Sequence, residues 1–234
     1  MWDNAPLLRN IANALFGLSL VLVLYGVVRY VLRLPVFPLR AVELTAAPQR
    51  VSSEQLEKVV REQVSGNFFT VDLESTRQSF EKLPWVRKVS VRRKFPWSLE
   101  VEVEEQVALA HWNGKELVNT HGEVFAGKVD QDLPVFTGQP DSSTQVTQMY
   151  GELNAELQPL KQQITQISLS PRFAWQVKLD NGMVLELGRE EMQQRLKRFV
   201  TVYPYSLAML ARPAIHVDLR YRNGFAAYVP GRDV

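Results

Sequence analysis

Eighteen consecutive residues, Ile11 to Val28, carry no charge, and that run decides what the chain can be. As a helix they extend about 27 Å, close to the ~30 Å hydrocarbon thickness of a bilayer. Continued to Leu32, the run reads IANALFGLSLVLVLYGVVRYVL, with Asn13 and Ser19 as its polar interruptions. Arg29 can snorkel to the headgroup level, where Tyr30 also sits well. A signal peptide has a shorter apolar core and a small-residue cleavage site, whereas Arg29–Tyr30–Val31–Leu32–Arg33 follows here. A retained membrane anchor over residues 11–32 is expected, with residues 1–10 as a short stub and a large body after it. Orientation does not follow from charge. Arg9 stands on one side and Arg29, Arg33 and Arg40 on the other, a count that puts the body inside the cell. That rule is a bias, and long domains are exported regardless of it.

The body has room for one or two compact domains. With 27 basic and 25 acidic residues the net charge is +2, too small to argue for nucleic acid as a partner. There is no cysteine, so disulfides, thiolate metal sites and a cysteine nucleophile are excluded.

Two prolines in Leu34–Pro35–Val36–Phe37–Pro38 bar helix continuation and make residues 33–39 a stiff spacer. Ala41–Thr45 alternates as a strand. Ser52–Ser53–Glu54–Gln55 is a capping box opening a helix with Leu56, Val59, Val60 and Val64 on one face, stopped at Gly66–Asn67. Asp72 caps a second helix with Leu73, Thr76, Phe80 and Leu83 on one face, ended by Pro84. Val86–Phe95 reads as a strand with Val89 and Val91 inward. Leu99, Val101 and Val103 alternate against Glu100, Glu102 and Glu104 in the next. The bases Arg87, Lys88, Arg92, Arg93 and Lys94 suggest a nucleic-acid patch, but they precede a glutamate-rich strand, and cross-strand pairing or solvated charge explains them better.

After residue 105 the pattern turns β-rich. Ala108–Trp112 and Lys115–Val118 flank an Asn113–Gly114 turn, and His121–Phe125 turns again into a third strand. Leu133–Phe136 and Gly138 lead to a helix with Val146, Met149, Tyr150, Leu153, Leu157 and Leu160 on one face, ended or kinked by Pro159. Ile164–Leu169, Trp175–Leu179 and Val184–Leu187 are further strands, and Met192–Tyr203 is a helix loaded by Glu190–Glu191 at its amino end. Ile215–Tyr221 and Phe225–Val229 form a final hairpin around Asn223–Gly224. The fold class is therefore α+β.

A search for chemistry finds little. His111, His121 and His216 form no close ligand cluster, and neither a Gly-x-Ser-x-Gly elbow nor a phosphate loop occurs. His216 and Asp218 share a strand face as half of a triad, or as a plain polar pair. No enzyme and no cofactor is expected. What stands out is the last strand, Phe225–Ala226–Ala227–Tyr228–Val229, apolar at both parities and without the Lys or Pro that blunts an edge before Pro230. Such a strand is covered by its own protein or completed by a partner.

The run FPLRAVEL, then Phe68–Phe69–Thr70–Val71–Asp72, then LPWVRKVSVRRKFPWSLEVEVEEQ resembles the POTRA domain of the FtsQ/DivIB family of bacterial cell-division proteins. Trp175–Gly182, Arg195–Phe199 and Val217–Tyr221 are similar to the β domain of that family, so the likeness covers nearly the whole chain. It implies a single-pass inner-membrane protein with a cytoplasmic stub (1–10), a transmembrane helix (11–32), a linker (33–39), a POTRA domain (40–105) and a β domain (106–234). The body would be periplasmic and gather at the division septum. The resemblance further implies a scaffold that recruits the FtsB–FtsL pair, with contacts to FtsK and other division proteins through the POTRA domain. It implies a partner surface at Arg220, Tyr221, Asn223, Gly224, Phe225, Ala226, Ala227, Tyr228 and Val229. Two other functions stay open on the residues alone, a POTRA-type chaperone or secretion module and a membrane-tethered hydrolase.

Overall fold

A computed structural model describes residues 5–34, 36–210 and 212–230. Pro35 of the spacer, the first four residues of the stub and residues 231–234 lie outside the described residues. The chain divides into two compact units, residues 1–105 and 106–234.

The apolar run forms helix α1, Ala5–Arg33, which starts well before Ile11 and buries none of its side chains. It is the one helix among the described residues long and apolar enough to cross a membrane. Strand β1 (Ala41–Leu44), helices α2 (Ser53–Gln63) and α3 (Leu73–Glu81), and strands β2 (Val86–Lys94) and β3 (Ser98–Glu105) follow. Both helix starts are written in the sequence. Ser52 accepts from the Gln55 amide while Gln55 reaches back, and Asp72 accepts from the amides of Glu74 and Ser75. The sheet order is β1-β3-β2, with β1 parallel and β2 antiparallel to β3. Phe80, Leu56, Val51, Val86, Val89 and Val101 fill the space between helices and sheet. Trp85 lies only half buried, with the Arg50 guanidinium 5.0 Å over its ring, so Phe80 and not Trp85 is the central packing residue.

The basic strand meets the expectation of cross-strand pairing or solvated charge in part. Arg87 meets Glu104 at 2.7 Å, but Lys94 pairs with Glu43 on β1 at 2.6 Å. Arg93 turns to main chain, donating from Nε to the Phe68 carbonyl (2.8 Å) and from Nη2 to that of Val71 (2.8 Å). Glu105 accepts from the amides of Gln49 (2.9 Å), Arg50 (2.7 Å) and Val51 (2.9 Å). Burial pushes its carboxyl up, but the three amides and the Arg50 charge outweigh that and hold it below the ordinary value. A group depressed in this way contributes stability above its unfolded value of about 4.3 and loses it as pH falls through the lower folded one. Glu105→Gln should therefore cost about 1–3 kcal/mol at neutral pH. The gap from wild type should close in urea titrations run on the acid side of that range.

The second unit is one mixed sheet of order β12-β11-β10-β9-β8-β7-β4-β5-β6. Its strands are β4 (Ala108–Trp112), β5 (Glu116–Asn119), β6 (Val124–Phe125), β7 (Val135–Thr137), β8 (Ile164–Leu169), β9 (Trp175–Leu179), β10 (Val184–Gly188), β11 (His216–Asp218) and β12 (Ala226–Tyr228). Helices α4 (Ser143–Leu157) and α5 (Met192–Val202) contribute Val146, Leu153, Leu157, Leu196 and Phe199 to its buried face. Asn113 (φ 49°) and Gly114 (φ 72°) take the paired left-handed conformation of a two-residue hairpin turn. The segment expected only to lead into α4 holds β7, a three-residue strand lying parallel between β4 and β8. The terminal hairpin is shorter than expected. Its strands cover 216–218 and 226–228, and residues 219–225 link them in place of a tight Asn223–Gly224 turn. Neither Asn223 nor Gly224 has the positive φ such a turn requires.

Candidate functional site

Strand β12 is one rim of the nine-stranded sheet. Its neighbour β11 runs parallel to β10, with Leu185 opposite Val217, and the connection between them passes through α5. Val184 donates to the Ile215 carbonyl (3.0 Å) and Leu219 to that of Glu186 (2.9 Å). Residues 215, 217 and 219 thus turn carbonyl or amide toward β10, and alternation turns His216 and Asp218 toward β12. Their partners across the pair are Tyr228 and Ala226. Ile215 also donates to the Tyr228 carbonyl at 3.1 Å. Alternation then leaves the amide and carbonyl of Ala227 facing outward, with no further strand beside them among the described residues.

The side chains divide the same way. Ala226, Ala227 and Tyr228 are all exposed, Tyr228 at 60 % and Tyr221, in the preceding loop, at 57 %. Phe225 and Val229 instead pack on the molecule's own core, Phe225 edge-on to Phe199 at 5.6 Å. They hold the ends of the strand down while its middle stays open. Arg198 donates to the Arg222 carbonyl and Arg212 to that of Pro230 (3.2 Å), which fixes the flanks.

Arg220 is engaged within the chain. Its Nη2 lies 2.6 Å from Asp218 Oδ2, and its Nε and amide both donate to Oδ1 at 2.9 Å. The Arg220 guanidinium holds the Asp218 carboxyl below its ordinary value. His216 stands 4.0 Å from Glu186 and Asp218 is held by Arg220, so each member of that pair has another partner. No group of three or more His, Asp or Glu residues suited to a metal ion occurs among the described residues.

Sequence reasoning missed Arg195, on α5. Its side chain is mostly buried, 3.8 Å from Glu191 and 3.5 Å from the Leu187 carbonyl, and its Nε has no hydrogen-bond partner. A Cβ at Gly188 would lie 3.5 Å from Arg195 Nη1 and 3.1 Å from Arg220 Cγ, so the Arg195 guanidinium and the Arg220 stem crowd the end of β10. An arginine in a helix carries no signal of this by spacing alone.

Comparison with known proteins decides the family. Residues 37–106 match the family described as POTRA domain, FtsQ-type, and residues 110–220 match Cell division protein FtsQ/DivIB, C-terminal. The cell division protein FtsQ of Nitrosospira multiformis is 44% identical over 232 residues, covering 97% of this chain and 98% of that protein. The chain belongs to the FtsQ family. The FtsQ of Bordetella pertussis is 38% identical over 251 residues, and that of Burkholderia pseudomallei 36% over 238. These alignments cover 97% and 99% of this chain, so the FtsQ likeness takes in the apolar N-terminal helix as well as the two domains. An FtsQ-family cell-division protein with a single apolar N-terminal helix and a POTRA domain followed by a mixed sheet accounts for the whole described fold.

Proposed function

We propose that the protein is a division scaffold whose periplasmic body recruits the FtsB–FtsL pair by adding a strand from FtsB to β12. The observation that carries this is the open rim, where the outward Ala227 amide and carbonyl lie between two anchored ends. Strand addition supplies main-chain hydrogen bonds, and side chains at alternate positions supply selectivity. Tyr221 and Tyr228 offer exposed aromatic faces for that purpose, while Asn223 and Gly224 shape the loop between them. Arg220, whose side chain stays exposed beside Asp218, places positive charge where a partner carboxylate can pair. Phe225, Ala226 and Val229 serve the site by holding the strand in place. The POTRA domain is a separate surface suited to FtsK and other division proteins, and α1 holds both in the inner membrane at the septum.

Pull-down of the full chain with its anchor should co-purify FtsB and FtsL, and a chain ending after Gly224 should lose both while keeping its membrane location. Retention of the pair at wild-type strength by the truncated chain overturns strand addition. The direction of the anchor is tested separately. A reporter active only after export, fused behind Val234, should be active, and a stable but inactive fusion would place the body inside the cell.

A further inference from the structure

The end of α1 is tied to the POTRA domain by a specific clamp. Asn67, only 7 % exposed, donates from Nδ2 to the carbonyls of Leu32 (2.8 Å) and Leu34 (3.0 Å). Its Oδ1 accepts from the amides of Phe69 (3.0 Å) and Thr70 (2.9 Å). One side chain thus satisfies carbonyls that a helix end leaves orphaned, and shapes the turn that meets them. Arg93 grips the same turn from β2, and the Phe68 amide donates to the Phe37 carbonyl (3.0 Å).

Aromatic rings gather on this clamp. Phe37 lies 5.0 Å from Phe69 and 6.0 Å from Trp97, and Phe68 lies 5.1 Å from Phe69 and 6.4 Å from Phe95. Two of the rings face solvent, Phe95 at 83 % exposure and Phe69 at 41 %, and Phe37 and Trp97 are half-buried. Arg29 and Arg33, one helical turn apart, line a pocket with Leu32, Phe69 and Thr70, and no acidic residue is among its walls. Arg40 adds a third cation, 5.4 Å over the Trp97 ring.

Exposed rings beside cations are the composition of a surface at a membrane interface, where aromatic bodies enter the headgroup layer and Arg meets phosphate. The position agrees, because the clamp fixes Phe69 at the level of Arg29 and Arg33, where the apolar part of α1 ends. We infer that this face of the POTRA domain rests on the phospholipid surface beside its own anchor. Phe69, Phe95 and Trp97 enter the headgroup–acyl boundary, and Arg29 and Arg33 hold an anionic headgroup phosphate in the pocket. The inference rests on reading α1 as a membrane anchor. Continuity with that helix, together with the charge of the pocket, selects lipid over a protein as the occupant.

The sequence contains no cysteine, so Phe95→Cys and Glu54→Cys each give a unique site for a nitroxide label on the full chain. Both positions are exposed, and Glu54 stands at the amino end of α2, next to Val51, which meets Glu105 at the opposite end of β3 from Trp97. The labelled proteins are reconstituted in phosphatidylcholine vesicles with and without phosphatidylglycerol. Collision with oxygen, which concentrates in lipid, is compared with collision with a water-soluble nickel complex. The oxygen-to-nickel ratio should be several-fold higher at residue 95 than at residue 54. It should rise further with phosphatidylglycerol, and Arg29→Gln with Arg33→Gln should remove that rise. Equal ratios at the two sites overturn the inference, as does protection of residue 95 from both reagents, which marks a surface covered by protein. A rise that survives the double substitution overturns the headgroup pocket. Release of the chain from vesicles by alkaline carbonate overturns the anchor reading itself, a result distinct from the label ratios.

Discussion

On the proposed strand addition, Ala227→Pro should release FtsB–FtsL while leaving the protein's own sheet intact. The Ala227 amide faces away from β11, so proline there removes a donor that only an added strand would use. Leaving the partner's carbonyl unmet costs on the order of 1–3 kcal/mol, which weakens binding roughly ten- to hundred-fold, and the ring adds a steric block. The neighbouring substitution supplies the control. Ala226 faces Asp218 within the hairpin, so Ala226→Pro should loosen β12 from β11 and raise hydrogen exchange there. Affinity for purified FtsB–FtsL and exchange of the 216–228 amides measure the two effects. Binding lost in Ala226→Pro but kept in Ala227→Pro would reverse the parity and sink strand addition at this edge.

Phe80→Ala should have the largest effect on stability. The ring is fully buried on α3, within the cluster that joins both helices to β2 and β3. Removing it from a well-packed core costs about 3–5 kcal/mol. A domain of this size has a total stability of only a few to roughly ten kcal/mol, at about 0.05–0.15 kcal/mol per residue. Hydrogen exchange across the POTRA domain should therefore approach the unfolded rate, while β8–β10 in the other unit keep their protection. Trp85→Ala, at a half-buried ring under Arg50, should cost less, about 1–3 kcal/mol. A greater loss at Trp85 than at Phe80 would show that the helix–strand junction, and not the middle of α3, centres the packing.

Features written locally were legible in the sequence, and features made by distant segments were not. Ser52, Asp72 and Asn113–Gly114 each determine a few neighbouring dihedrals, so their helices and turn fall where the residues say. Alternation in Leu99–Val103 likewise needs no partner to be read. By contrast β7 is three residues long, too short to show any period, yet it joins β4 to β8. Arg93 and Glu105 look like members of a charge ladder, and their real partners are backbone groups between 22 and 56 residues away. The rim strand was visible as an apolar segment without a guard, but its two faces were not. Asn223–Gly224 suits a two-residue turn, and the packing of Phe225 on Phe199 overrides that local preference in favour of a wider loop. The same contact draws Phe225 inward, where the pattern alone had offered it to a partner.

The order of strands in the large sheet also has a consequence in time. Every other strand of that sheet precedes β12 in the chain, and β12 touches the sheet through β11 alone. Synthesis proceeds from the amino end, so the rest of the sheet exists before its rim does. A chain halted before Ala226 ends its sheet at β11, with different residues and the opposite strand direction along the rim. On the proposed strand addition, a partner would find its docking strand only once β12, the last strand among the described residues, has been made and has joined β11.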